Sequence, residues 1–485
     1  MSWAETKLIR DDISKLSFRA NSSLIYTEVT DNSITQISYY DENSNLLGTS
    51  DVIDGISKFY TEYSGKVKCV GGDYTTIVNI TVYKTYRIRL GQHHYGFRVL
   101  KSVTDPNIRV DYLEEAIGMT PAYMDYSSGI FNYGSWEGAF FMPKPCMLKN
   151  DGTVDYYLEP NDYTKKADGT ASDIANTSYE GNAMMQFPKI WTYSYEDSAY
   201  EYHYIASYKV SDNYHCYSNL DYAGNEIDYF YVPIYDGSLV NGKLRSLSGR
   251  APLNNTTGTN EITYATANNV NSVNEWYIEQ WCDRALFIDL LKLMSKSTDS
   301  QTAFGRGYDT AGSSASSLMN SGSMNTKGLF WGTNTGTDGV KVFGIEHFWG
   351  NIFRRTAGLM TSGTTLYVKM TWSMADGSSV TGYQTTSTSG YINTGIGLGG
   401  TSGGYQSIVK ATEYGTLPKT ASGSSSTYET DGLWFASDVT AFAFLGGGCG
   451  SGLLCGASCV ALASAVSGSD WGVGASLSCK PRKVA

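Results

Sequence analysis

Few residues in this 485-residue chain have the types and spacing that chemistry needs. There are five histidines, and His93, His94 and His347 are the ones that could be imagined as ligands or bases. Nothing in the sequence brings them together, so they read as ordinary surface or core histidines. Asp and Glu are plentiful, but no pair stands out as a general acid and base. Of eight cysteines, Cys69, Cys146, Cys216 and Cys282 are scattered, while Cys449, Cys455, Cys459 and Cys479 lie close together. That cluster lacks a C-x2-C pair and has no histidine beside it, so a zinc site is not expected. There is no P-loop, no G-x-S-x-G and no H-E-x-x-H. The glycine-rich stretch 395–404 lacks the strand and helix that flank a phosphate cradle, and it reads as a loop. The chain is expected to have no catalytic residue, no metal and no cofactor.

The most unusual segment is 436–479. It contains no Lys, Arg, Glu, Gln, Asn, His, Tyr, Met or Pro, and its only charges are Asp438 and Asp470. Hydropathy alone would allow 439–469 to span a membrane. Gly446, Gly447, Gly448, Gly450, Gly452 and Gly456 would make a poor helix, and aromatic belts and basic flanks are missing. Leu445 and the stretch 473–477 read instead as short strands enclosing a folded loop.

The elements that must carry these residues follow from composition and pattern. Charged residues make up 17% and aromatics 13%, with 38 Tyr and 52 Gly, which points to strands and long ordered loops rather than a coiled coil or a disordered tail. A net charge of −11 argues against a nucleic-acid groove. No secretory signal is recognisable at the N-terminus, so free thiols in a reducing cytosol are expected. Residues 1–17 predict a short docking or oligomerisation helix, with a Ser2/Glu5 capping box and Ile9, Ile13 and Leu16 on one face. Residues 18–90 predict an immunoglobulin-like β-sandwich acting as a spacer, with hairpins at 34–47 and 66–83. From residue 91 onward the texture is irregular, and the one convincing helix is predicted over 275–294.

Three stretches then form a pattern. Phe343-Gly344-Ile345-Glu346-His347-Phe348-Trp349-Gly350-Asn351-Ile352-Phe353 comes first. Leu445-Gly446-Gly447-Gly448 and Trp471-Gly472-Val473-Gly474-Ala475-Ser476-Leu477 follow. In order and placement they resemble the formylglycine-generating-enzyme branch of the C-type lectin fold. The same elements occur in the variable proteins of diversity-generating retroelements, including the major tropism determinants of phage tail tips. The stretches 182–191 and 243–249 are similar to tail proteins of gut phages and prophages. The resemblance covers 91–485 and implies a C-type-lectin-like domain there, hence an α+β chain with a small N-terminal helix and an immunoglobulin-like β-domain. The enzyme branch places four residues between its paired cysteines, whereas Cys455 and Cys459 have three between them. The resemblance therefore extends to the scaffold and not to oxidase chemistry.

In the retroelement proteins, Asn codons in the C-terminal loops are randomised at their adenines. Every residue over 435–479 except Trp471 is reachable from an Asn codon. By that analogy the variable, receptor-contacting positions are Cys449, Gly450, Ser451, Leu454, Cys459, Ala461, Ala463, Ser464, Gly468, Asp470 and Gly472. The function implied is host adhesion by a phage tail-tip receptor-binding protein. It would meet a bacterial surface receptor (protein or glycan) and dock to other tail proteins through its N-terminal region as a homotrimer of the virion. The alternatives are a formylglycine-generating-type oxidase and a membrane-active protein using 439–469.

Overall fold

The computed structural model describes residues 22–31, 33–72, 74–80, 85–271 and 273–483. The helix expected over 1–17 lies outside them. The chain forms two compact units, the first running to His93 and including Glu137–Phe140, the second comprising His94–Trp136 and Phe141–Ala485.

In the first unit, strand Ser23–Val29 lies between Ile56–Thr61, antiparallel, and Thr85–Leu90, parallel. A second sheet has the order Leu46–Asp51, Gln36–Tyr40, Gly65–Gly71, Tyr74–Ile80. Side chains alternate across each pleat, so every second residue points inward. Ile25 from the first sheet and Ile37, Val67 and Cys69 from the second meet in one core cluster with no exposure. The hairpins read at 34–47 and 66–83 are formed by the Gln36–Tyr40/Leu46–Asp51 and Gly65–Gly71/Tyr74–Ile80 pairs.

The second unit holds three larger sheets. One has four strands in the order Trp191–Glu196, Tyr200–Ala206, His94–Leu100, Val110–Glu114. The second has seven strands, and the C-terminal strand Leu477–Cys479 is inserted between Tyr229–Pro233 and Trp276–Ile278. The third has ten strands and is nearly closed, like a barrel. At its centre Phe353–Ser362 pairs antiparallel with Thr440–Leu445 and parallel with Val473–Ala475.

The α+β expectation is corrected. Strands take up 40% of the chain and helices 8%, so the protein is mostly β. The reason lies in stretches rich in Gly, Ser and Thr that read as loops. Ile392–Gly397 and Gly404–Thr412 fall in or beside one of them, yet both are strands of the barrel-like sheet. The helix expected from residue 275 starts later, at Trp281, and ends at Ser295. Trp276–Ile278 is drawn off as a strand because Leu477–Cys479 pairs with it.

That helix is buried on all sides, Ser295 apart, and its charged residues meet polar partners in place. Arg284 meets Glu279 at 2.8 Å, Asp283 meets Lys480 at 2.8 Å, and Asp289 lies 3.2 Å from His203. A buried charge is tolerated only when paired in this way. Lys296, in a left-handed conformation at φ 54°, closes the helix by returning its N–H to the Lys292 carbonyl. Among the described residues no helix is long and apolar enough to cross a membrane, and 440–462 contains two strands and one turn of 3-10 helix.

Candidate receptor-binding surface

The scaffold under the C-terminal segment is built by the stretch 343–355. Five of its residues, Phe343, Gly344, His347, Gly350 and Asn351, have positive φ, which folds it into a tight series of turns. Its polar side chains point inward. Asp236 accepts two hydrogen bonds from Arg354, at 2.8 and 3.1 Å, and one from the Asn351 amide at 3.0 Å. His347 Nδ1 lies 2.9 Å from the same carboxylate. Burial opposes ionisation of Asp236, but Arg354 and His347 hold its carboxyl below the ordinary range. Glu346 accepts the N–H groups of Gly322 and Met324, at 2.7 and 3.0 Å. Trp349 has no exposure and donates its indole N–H to the Gly305 carbonyl. These residues brace loops and reach no solvent-facing cleft. His94 sits elsewhere, 2.7 Å from the Tyr214 hydroxyl, so the structure does not bring the histidines into one site.

The turn Gly446-Gly447-Gly448 rests on this scaffold. Gly446 and Gly447 have φ of 90° and 83°. A Cβ on Gly447 would lie 2.5 Å from the Cys455 sulfur, so both backbone and space demand glycine. The Cys449 N–H donates to the Asn351 carbonyl at 2.9 Å, and the Cys455 thiol faces the Gly448 carbonyl at 3.4 Å.

The expected contact positions divide. Gly450, Ala463 and Asp470 are exposed, and Ser451, Leu454, Ala461, Ser464 and Gly468 are half-buried. Cys449, Cys459 and Gly472 are buried, which corrects the expectation that they are exposed. Cys449 turns under the loop toward the Gly312 carbonyl, and Gly472 receives the Phe353 N–H on its own carbonyl. Gly450, Ser451 and Leu454 share one turn, which is tied to a neighbouring loop by Ala311 N–H to Cys449 O and Gly452 N–H to Asp309 O. Gly468 and Asp470 sit in a second loop over Asn255–Gly258: Asn255 donates to the Asp470 carbonyl, and Arg355 donates to that of Gly468.

Sequence reasoning missed the neighbours that complete the first patch. Leu453 is 42% exposed beside Leu454. Trp434 and Phe353 are half-buried, with rings edge to face at 5.7 Å. No local signal links residues 353 and 434. The strands that carry them meet only through the barrel-like sheet.

The thiols are inert in this setting. Among the described residues all eight cysteines are free and buried. Burial pushes the Cys455 and Cys459 thiols well above their ordinary range, so neither is a thiolate at neutral pH. Among the described residues no group of three or more His, Cys, Asp or Glu side chains is placed to hold a metal ion.

No protein-family model matches the chain, and no curated protein matches it. Among solved structures it is similar to the Bacillus anthracis TIE protein, at 10% identity and a TM-score of 0.12, over 34% of this chain. The match spans 28% of that structure's chain. At that score the likeness carries no argument about fold or function.

Proposed function

We propose that the chain is a receptor-binding protein of a phage or prophage tail tip, of the diversified type that retroelements act upon. The C-terminal turns adhere reversibly to a bacterial surface receptor, and no covalent chemistry is involved. The observation that supports this most directly is the division of labour within 446–472. Gly446, Gly447, Cys455 and Cys459 are buried and locked to the scaffold, while Gly450, Ala463 and Asp470 are exposed. Loops on a rigid frame are where binding specificity is usually carried. The buried, protonated Cys455 and Cys459 speak against the oxidase alternative, which needs an accessible thiolate. In this reading the protein works at the virion tail tip as a homotrimer, with its N-terminal region docking to other tail proteins. Many weak sites per particle then supply avidity.

The experiment substitutes the exposed Ala463 and Asp470 singly and compares melting temperature with adsorption to host cells. Surface changes of this kind alter stability by within about 0.5 kcal/mol. The expected result is altered adsorption at nearly constant melting temperature. Large losses of melting temperature with unchanged adsorption would overturn the assignment.

A further inference from the structure

A second candidate site lies away from the C-terminal turns, at the edge of the four-stranded sheet. Tyr193 and Tyr195 alternate along the edge strand Trp191–Glu196, and Tyr200, Tyr202 and Tyr204 alternate along its partner. The register sets Tyr193 opposite Tyr204 and Tyr195 opposite Tyr202, so all five fall on one face. Their rings stack, Tyr195 on Tyr202 at 4.7 Å and 13°, Tyr193 on Tyr204 at 6.1 Å and 16°. The opposite face of the same strands is core and carries Glu201, His203 and Ile205. Cross-strand stacking explains part of the tyrosine face, because aromatic pairs stabilise a sheet. It does not explain why the face runs to an open cleft.

That cleft, of about 480 Å³, is lined by Tyr193 and Tyr195 on one side and by Thr412, Glu413 and Tyr414 on the other. Its volume is within the roughly 300–1,000 Å³ of small-molecule sites. Tyr195 remains 37% exposed. Two of the carboxylates at the cleft are already neutralised: Glu196 by Lys101 at 3.1 Å and by Lys410, and Asp212 by Lys209 at 2.9 Å. Glu413 faces His215 at 3.6 Å, whose pKa burial lowers, and it also takes the hydrogen bond of the Tyr414 phenol, while its side chain stays about half exposed. Glu413 is therefore left as an acceptor. The Tyr414 phenol, pushed up to about 12 chiefly by burial and then by its hydrogen bond to Glu413, stays protonated, and its oxygen is left to accept.

The exposed Tyr195 ring, the half-exposed Glu413 carboxylate and the phenol oxygen beside it match a ligand with C–H patches and many hydroxyls. The negative face of an aromatic ring attracts the polarised C–H groups of a pyranose. A carboxylate accepts two hydroxyls at once. We propose that this cleft binds a neutral di- or trisaccharide, stacked on the tyrosines and hydrogen-bonded through Glu413 and Tyr414. The site does not depend on the C-terminal turns.

The test is saturation-transfer NMR on the full chain with maltotriose, chitotriose and mannotriose, and with choline as a cationic comparator. At least one trisaccharide should receive saturation. Its affinity should fall at least tenfold in Tyr195→Ala and in Glu413→Gln, and stay unchanged in Asp470→Ala. Glu413→Gln alters an exposed side chain and keeps its shape, so it separates lost binding from lost folding. The proposal is overturned if no trisaccharide receives saturation, if both cleft variants bind like wild type, or if choline displaces the sugar. Adsorption of the Asp470 variant reports separately on the C-terminal surface, so failure of one site is distinguishable from failure of the other.

Discussion

The Arg355 guanidinium donates to the Glu261 carboxylate across 2.6 Å, and neither side chain has any exposure. The pair joins the central strand Phe353–Ser362 to the helix Gly258–Thr266. It also anchors the second loop of the candidate surface, because Arg355 Nη2 donates to the Gly468 carbonyl at 3.1 Å. The guanidinium lies over the Phe444 ring, 4.7 Å from its centroid.

Removing one partner leaves the other charge buried and unpaired, which typically costs about 3–5 kcal/mol. Arg355→Met should therefore destabilise the protein strongly and loosen the loop that carries Gly468 and Asp470. Glu261→Leu combined with Arg355→Met should recover much of the loss, since an apolar pair fills the same space. Urea unfolding of the single and double variants measures the coupling. A single variant that costs less than about 1 kcal/mol would contradict the role given to the pair.

Trp471 and Trp349 should behave differently. Trp471 is the one residue of 435–479 that an Asn codon cannot reach, which predicts a fixed anchor. It is half-buried, whereas Trp349 has no exposure and a satisfied indole N–H. Trp349→Ala should cost about 3–5 kcal/mol. Trp471→Ala should cost roughly 1–2 kcal/mol, in proportion to the apolar area it covers. Thermal denaturation of the two variants side by side decides the point, and equal losses would place Trp471 in the core after all.

The thiols give a direct chemical readout. Native protein should react only slowly with Ellman's reagent, because all eight cysteines are buried. In guanidinium chloride all eight should titrate. A count two short in denaturant would reveal a disulfide and reopen the question of redox chemistry at Cys455 and Cys459.

What was legible in the sequence was local. The hairpins around Asp41–Asn45 and Gly71–Gly72 could be read because alternation and turn residues lie side by side. The break between Val473–Ala475 and Leu477–Cys479 could not, because it depends on distant partners. The first strand pairs with Phe353–Arg355, the second with Trp276–Ile278, and the Ser476 carbonyl between them accepts the Glu279 N–H. The same non-local pairing took Trp276 out of its expected helix. Cys449 and Cys459 looked like sampled surface residues because small-residue composition does not distinguish a tolerant loop from a tight turn. The alternation of Tyr193, Tyr195, Tyr200, Tyr202 and Tyr204 was visible, but a cleft beside it depends on Thr412–Tyr414, which lie over 200 residues away.

Lys341 has no exposure, donates to the Met324 carbonyl at 2.8 Å and lies over the Tyr163 ring. Burial pushes its pKa down to about 7, against the opposing pull of Glu346. An unfolded lysine keeps its proton up to about pH 10.4. Between pH 7 and that value the unfolded chain holds a proton at this position that the folded chain has released. Stability contributed by this group therefore rises with pH across the window, and the cost of burying the charge is fully present below pH 7. Lys341→Met removes the titration. Unfolding free energies of wild type and variant should be compared at pH 6.5 and pH 9. The variant should be favoured relative to wild type at the lower pH and lose that relative advantage at the higher one. A difference that stays constant between the two pH values would show that Lys341 keeps its proton in the fold.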